Sequence, residues 1–271
     1  MYVGKKIRLR KLLHPKSRRM FIVALDHGLF MGALKGLDKT RTLIEELCKV
    51  EYVTGFMASP KILELHGEIM ADYGKALVMR IDGAGSKYSI EGKTFLIRSI
   101  ETAIRLDVEA VCVMGLIGAK NQDESLINIA LMAEQCENYA IPLIAEMVPI
   151  KGEKITNPYD PQVIADACRI GAELGADVVK TYYTGSKESF KTVLSYSPVP
   201  VAILGGPKTE KIVDMLKQIQ DAIEAGAIGI IFGRNIWQRD RPGDAANIIG
   251  SIVHGKLTWE EAYTAFKSLN K

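Results

Sequence analysis

Lys180 closes the run Ala176-Asp177-Val178-Val179-Lys180, a single amine at the end of an apolar stretch. An ammonium there loses hydration, which favours the neutral amine that attacks a carbonyl to form a Schiff base. A structural reading stays open beside it, with Lys180 merely paired to Asp26 or Glu146. Asp26 and His27 stand together in Leu25-Asp26-His27-Gly28, and Glu146 lies in Ala145-Glu146-Met147. Asp26 is suited to hold substrate hydroxyls or to assist proton transfer. His27 is either a general acid–base or a hydrogen-bonded wall of a site. Two glycine turns suggest a second function. Gly205-Gly206-Pro207-Lys208 and Gly233-Arg234 each follow an apolar run. Bare backbone N–H groups can approach an oxyanion at glycine, and Arg234 adds a fork of donors, so phosphate is the expected guest. Two tight turns without a ligand are the plainer reading of the same residues.

These side chains need a scaffold that gathers them. Apolar runs without an amphipathic period occur at Phe21–Asp26, Tyr52–Ala58, Ala76–Asp82, Ala110–Met114, Leu143–Met147, Asp177–Lys180, Val201–Leu204 and Ile228–Phe232. Each reads as a parallel strand buried on both faces. Stretches with charges at helical spacing separate them, among them Thr94–Leu106 and Pro161–Leu174. Gly74, Gly175 and Gly226 sit where helices should end. Strict alternation of eight such units predicts a (β/α)₈ TIM barrel, with a doubly wound sheet as the alternative. In a barrel the chemistry gathers at the C-terminal strand ends. The charged residues here lie there, including Arg80 and Asp82 after the third strand. The chain reads as a single domain over 1–271, with a basic arm at 1–20 and an extra amphipathic helix at 258–269. The arm is expected to lie on the barrel or on a neighbouring subunit. The loops Gly83–Gly92 and Pro149–Pro158 are expected to set the substrate.

Composition narrows the function further. The chain has 271 residues, of which 48% are hydrophobic, enough for a large core. Lys and Arg number 35 against 32 Asp and Glu, a net charge of only +3. That balance points away from nucleic acid and membrane surfaces, so an anion must be recognised by a local site. No apolar run approaches the roughly 18 residues of a membrane span, and no secretory signal pattern opens the chain. Cys48, Cys112, Cys136 and Cys168 form no C-x-x-C pair and read as buried thiols of a reducing cytoplasm. No H-x-x-H or H-E-x-x-H motif suggests a metal, and no G-x-G-x-x-G follows a strand.

Four segments carry a family resemblance: Val23-Ala24-Leu25-Asp26-His27-Gly28, Asp177-Val178-Val179-Lys180-Thr181-Tyr182-Tyr183-Thr184-Gly185, Ile203-Leu204-Gly205-Gly206-Pro207-Lys208 and Phe232-Gly233-Arg234-Asn235-Ile236-Trp237-Gln238. Together they resemble the archaeal-type class I aldolases, from about residue 18 to the C-terminus. That superfamily includes fructose-bisphosphate aldolases, aminodideoxyheptulosonate synthases and the thiolase of phosphorylated autoinducer-2. The resemblance implies a Schiff-base lysine at Lys180, Asp26 beside substrate hydroxyls, and phosphate at Gly205, Gly206, Gly233 and Arg234. It also implies a cytoplasmic homo-oligomer, often a decamer in the family, with no metal or organic cofactor. The partner it implies is a phosphorylated sugar-like small molecule. One position departs. Aldolase and heptulosonate members carry a proton-shuttling tyrosine near the end of the fifth strand, where this chain has Val148 in Glu146-Met147-Val148-Pro149. The shuttle then falls to Glu146, His27, Tyr182 or a water, or the reaction differs. The expected activity is a class I aldolase, a C–C lyase acting on a phosphorylated ketose. The alternatives are a thiolase or transferase of the same superfamily, or a non-covalent phosphosugar isomerase working through Asp26 and Glu146.

Overall fold

The computed structural model describes residues 2–89, 93–209 and 211–269. Met1 of the expected arm, Glu210 at the expected start of a helix, and the end of the Gly83–Gly92 loop lie outside them. The chain opens with α1 (Val3–Lys11), β1 (Met20–Ala24), α2 (His27–Met31), α3 (Thr40–Cys48), β2 (Gly55–Ala58), α4 (Pro60–Asp72) and β3 (Ala76–Arg80). A hairpin, β4 (Asp82–Ala84) and β5 (Thr94–Leu96), precedes α5 (Ile100–Arg105). Regular alternation follows: β6 (Ala110–Ile117), α6 (Gln122–Asn138), β7 (Leu143–Pro149), α7 (Pro161–Glu173), β8 (Val178–Thr181), α8 (Lys187–Tyr196), β9 (Val201–Leu204), α9 (Ile212–Ala225) and β10 (Gly229–Phe232). The chain ends with α10 (Arg234–Trp237), α11 (Pro242–Val253) and α12 (Trp259–Leu269).

The strands close in the order β1-β10-β9-β8-β7-β6-β3-β2. Every pair in the ring is parallel, so the doubly wound alternative is excluded. Side chains alternate across each strand. Phe21 and Val23 face the helices while Met20, Ile22 and Ala24 face the barrel axis. The same alternation puts Val78, Cys112, Ile144, Val178, Ala202 and Ile231 inside as a filled apolar layer. Helix signals read from the sequence hold in detail. Asp160 caps α7 by accepting from the N–H groups of Gln162 and Val163, with Pro161 at the first helical position. Gly175 and Gly226 take φ of +105° and +119° past their helices.

One expected element is not formed as read. Thr94–Leu106 was expected as a helix, but Thr94–Leu96 pairs antiparallel with Asp82–Ala84, and helix begins only at Ile100. Thr94 is buried and Phe95 exposed, the two-residue alternation of a half-buried strand. A β-branched and an aromatic residue at its start favour the hairpin.

The basic arm lies on its own barrel. The Lys5 ammonium bonds Glu137 at 2.7 Å and Asp177 at 3.0 Å. Leu12, fully buried, joins Leu9, Leu13 and Met20 to close the N-terminal end of the barrel. The turn after α1 is held by His254. Its Nε2 lies 2.9 Å from the Tyr52 carbonyl oxygen and its Nδ1 lies 2.7 Å from Ser17 Oγ. A carbonyl only accepts, so Nε2 carries the proton and the neutral ring accepts from Ser17 at Nδ1. All four cysteines are buried free thiols. Among the described residues no helix is long and apolar enough to cross a membrane.

Burial pushes the His254 pKa down to about 4, from an unfolded value of about 6.5. The unfolded chain therefore binds the extra proton first, and stability present above pH ~6.5 is lost as pH falls toward 4. Thermal unfolding should shift to lower temperature between pH 7 and pH 5. In His254→Gln that shift should be shallower, although the variant is less stable at pH 7.

Candidate active site

The inward set of each strand continues past the apolar layer. In β3 the inward residues Ala76 and Val78 are followed by Arg80. In β7 Ile144 is followed by Glu146, and in β8 Val178 by Lys180. Glu146 and Lys180 are direct neighbours in the β7–β8 register. Strand periodicity thus sends a guanidinium, a carboxylate and an ammonium to one level of the mouth. Asp26 joins from the residue pair after β1, and Asp82 from the start of β4.

Lys180 is 4% exposed, and its Nζ lies 2.6 Å from Glu146 Oε1. Arg80 is wholly buried and spends all three nitrogens on carboxylates. Its Nε donates to Asp26 Oδ2 at 2.9 Å, Nη1 donates to Asp82 Oδ1 at 3.2 Å, and Nη2 donates to Glu146 Oε2 in a very short contact. Asp82 Oδ2 accepts from the Met114 N–H at 2.9 Å. The Phe30 ring packs over the guanidinium, 5.9 Å from its carbon. Below, Arg80 meets the sulfur of Met57.

The carboxylates respond differently. Burial opposes ionisation of Asp26, but Arg80, His27 and Lys180 outweigh it and hold its pKa well below the carboxylate range. Burial likewise opposes ionisation of Glu146, and Lys180 with Arg80 again wins, so its pKa is lowered. For Asp82 burial prevails over Arg80 and the Met114 amide, and its pKa is raised. His27 Nδ1 lies 3.3 Å from Asp26 Oδ1, poorly aligned for a hydrogen bond, and has no hydrogen-bond partner among the described residues. Its ring packs edge-on against Trp237, whose Nε1 donates to the Ala24 carbonyl at 2.9 Å.

The glycine turns lie beside this layer. A Cβ on Gly205 would stand 2.9 Å from the Phe232 ring, and one on Gly233 only 2.7 Å from the Ala24 carbonyl oxygen. Both backbones therefore approach closer than any side chain permits. Arg234 is half-buried, and its Nε is buried with no hydrogen-bond partner among the described residues. Burial lowers its pKa, with Tyr182 and Asp26 opposing. The sequence-based expectation of an anion here thus meets an unspent donor next to the glycine turns.

The structure brings Lys180, Glu146, Asp26 and His27 together, with Gly205, Gly206, Gly233 and Arg234 on the next two strands. Lys208 is exposed on the turn after β9 and lines, with Gly205, Gly206, Tyr159 and Tyr182, a cleft of about 440 Å³. Tyr182 packs on Tyr159 at 4.9 Å, and burial, Tyr159 and Glu146 push its phenol up to about 12. Val148 is half-buried on the inward side of β7 and has no proton to give.

Two groups matter more than the sequence reading allowed. Arg80 stood out only as a charge at a strand end, and its isolation in an apolar run was the available signal. Asn235 had no signal beyond its motif. Its Nδ2 donates to the carbonyls of Gly205 at 2.6 Å and Pro207 at 3.1 Å, and its Oδ1 accepts from the Thr209 N–H at 2.8 Å. It ties the two glycine turns into one unit. Among the described residues no group of three or more His, Cys, Asp or Glu side chains is arranged to hold a metal ion. The space between the three carboxylates is filled by Arg80.

A family model described as "DeoC/LacD family aldolase" matches residues 20–239. The chain is 31% identical over 255 residues to the 2-amino-4,5-dihydroxy-6-oxo-7-(phosphonooxy)heptanoate synthase of Streptomyces griseus, covering 94% of this chain and 92% of that one. It is 32% identical over 263 residues to the 3-hydroxy-5-phosphonooxypentane-2,4-dione thiolase of Yersinia pestis, covering 97% and 87%. The fold superimposes with a TM-score of 0.82 and 28% identity on an archaeal fructose-1,6-bisphosphate aldolase whose catalytic lysine is covalently bound to the carbinolamine intermediate of its substrate. That match covers 93% of this chain and 100% of that one.

Replacing Arg234 with Gln should weaken binding of inorganic phosphate by about 10–100-fold, the worth of a charge-assisted hydrogen bond. Lys208→Gln, on an exposed side chain, should change it by less than about threefold. Isothermal calorimetry on the two folded variants checks both.

Proposed function

The chain belongs to the DeoC/LacD aldolase family, and from that premise we propose that it forms a Schiff base through Lys180 with a phosphorylated ketone and makes or breaks the adjacent C–C bond. The observation that carries this reading is the buried Lys180–Glu146 pair beside an unspent Arg234 donor. One end of a substrate would be held by its phosphate at Gly205, Gly206, Gly233 and Arg234. Its carbonyl then reaches Lys180 on the adjoining strand. The archaeal aldolase with a lysine-bound carbinolamine supports the same order of events.

Glu146 Oε1 takes a proton from the Lys180 ammonium, and the freed amine attacks the carbonyl carbon. Glu146 returns that proton to the carbinolamine hydroxyl, which leaves as water, so the iminium forms beside the again ionised Glu146 carboxylate as its counter-charge. In the cleavage direction, the C–C bonding pair moves into the iminium and leaves an enamine. Asp26, held ionised by Arg80, accepts the proton of the hydroxyl whose carbon becomes the released aldehyde. Reprotonation of the enamine and hydrolysis free the ketone and restore Lys180. The chemistry needs no metal, because the iminium is the electron sink.

A second reading is favoured by Val148. Without a phenol at this position the aldol proton transfer falls to carboxylates, and a relative of similar identity is a thiolase. In that reading the phosphorylated substrate is a diketone, and its acyl group passes to a thiol.

Borohydride with dihydroxyacetone phosphate should leave a reduced adduct on Lys180, read by intact mass and peptide mapping. Lys180→Met should lose both adduct and turnover while keeping the circular dichroism of the barrel. An adduct in that variant would sink the Schiff-base assignment. Cleavage of a phosphorylated diketone should separate the two readings: turnover that requires coenzyme A indicates the thiolase, and turnover without thiol indicates the aldolase.

A further inference from the structure

In the proposed mechanism Arg80 acts only on Asp26, yet its contacts extend to Asp82 and Glu146 as well. It rises from β3, two strands around the ring from β1 in one direction and two from β7 in the other. Its three nitrogens reach Asp26 after β1, Asp82 on β4 and Glu146 on β7. The guanidinium fork is rigid and planar, so it fixes the angles at which these carboxylates face one another. It also divides Glu146. Oε2 is taken by Arg80, which leaves Oε1 alone to face Lys180 at 2.6 Å.

We propose that Arg80 is a positioning residue: it turns Glu146 so that one oxygen faces Lys180 and accepts its proton. This rests on the Schiff-base reading of Lys180. Burying several charges in one layer is a poor way to stabilise a fold, since apolar residues of similar size do as well or better. Arg80, fully buried with the Phe30 ring above and Met57 below, is therefore better explained by what it holds than by stability. The third contact divides the proton acceptor of the nucleophile.

The groups around this layer come from every side. Asp26 and His27 follow β1, Arg80 and Asp82 belong to β3 and β4, and Cys112 lies on β6. Glu146 is on β7, Lys180 and Tyr182 are on and after β8, and Arg234 follows β10. Of these, Arg80 is the cation that bonds both carboxylates flanking Lys180. Without it, burial acts unopposed by that charge and Glu146 ionises at higher pH. The acid limb of Schiff-base formation should follow.

The test is the pH profile of borohydride trapping with dihydroxyacetone phosphate, on wild type, Arg80→Met and Arg80→Lys. In Arg80→Met the acid limb should move up by about one pH unit or more. In Arg80→Lys, which keeps the buried charge but not the fork, the limb should stay near its wild-type place. Its maximal trapping rate should fall about tenfold or more, as for a misplaced general base. The half-saturating concentration should be unchanged in both, because the phosphate turns are untouched. A limb that does not move in folded Arg80→Met overturns the proposal. If that variant does not fold, Arg80→Lys decides alone: unchanged maximal rate, or a changed half-saturation at unchanged rate, overturns it. Wild type that traps neither dihydroxyacetone phosphate nor a phosphorylated diketone overturns the Schiff-base reading itself, a result distinct from either.

Discussion

Four charged side chains share one dry level of the barrel mouth: Lys180, Glu146, Asp26 and Arg80, each less than 9% exposed. Burial alone would drive the carboxylates toward their neutral forms. They coexist because Arg80 bonds Asp26, Asp82 and Glu146 at once, and Glu146 in turn bonds Lys180. The guanidinium is suited to this because it stays charged in any surroundings and offers donors along fixed directions. Asp82 is the carboxylate for which burial still prevails. A lysine in place of Arg80 would supply the charge without the directions.

The anion end of the site is built from backbone. Gly205 and Gly233 are required by close packing against the Phe232 ring and the Ala24 carbonyl. Asn235 joins the turns after β9 and β10, and Arg234 adds the single unspent donor. Under the proposed reading this is where an anion binds, in a chain whose net charge is only +3. Steering by the whole surface is unnecessary when the donors are local.

The division between the two ends bears on the reaction. The phosphate turns and the lysine are the parts shared with the resembling motifs, and they suit any phosphorylated carbonyl. The proton-transfer apparatus is where this chain differs, with Val148 on β7 and Glu146 two residues before it on the same inward face. The synthase and the thiolase to which it is similar act on phosphorylated compounds by different bond changes, as their names state. In this mouth a carboxylate is held beside Lys180, and residue 148 carries no phenol.

The eight-strand alternation was legible because the two-residue period of a strand and the 3.6-residue period of a helix are written in adjacent positions. The residues beside the nucleophile were legible for the same reason, as lone charges ending apolar runs, and so were the glycine pairs. The helix expected over Thr94–Leu106 failed at its first turn, where pairing with Asp82–Ala84 outweighed local pattern. Lys208 belonged to the right turn, but its exposure depends on how that turn folds outward. The tertiary structure alone decided that Arg80 reaches Asp26 and Glu146, residues 54 and 66 positions away. It likewise decided that Asn235 spans two turns and that the basic arm closes its own barrel. Periodicity fixes which face a side chain takes. Which inward side chains meet depends on ring closure and strand register, and those come from contacts between residues far apart in the chain.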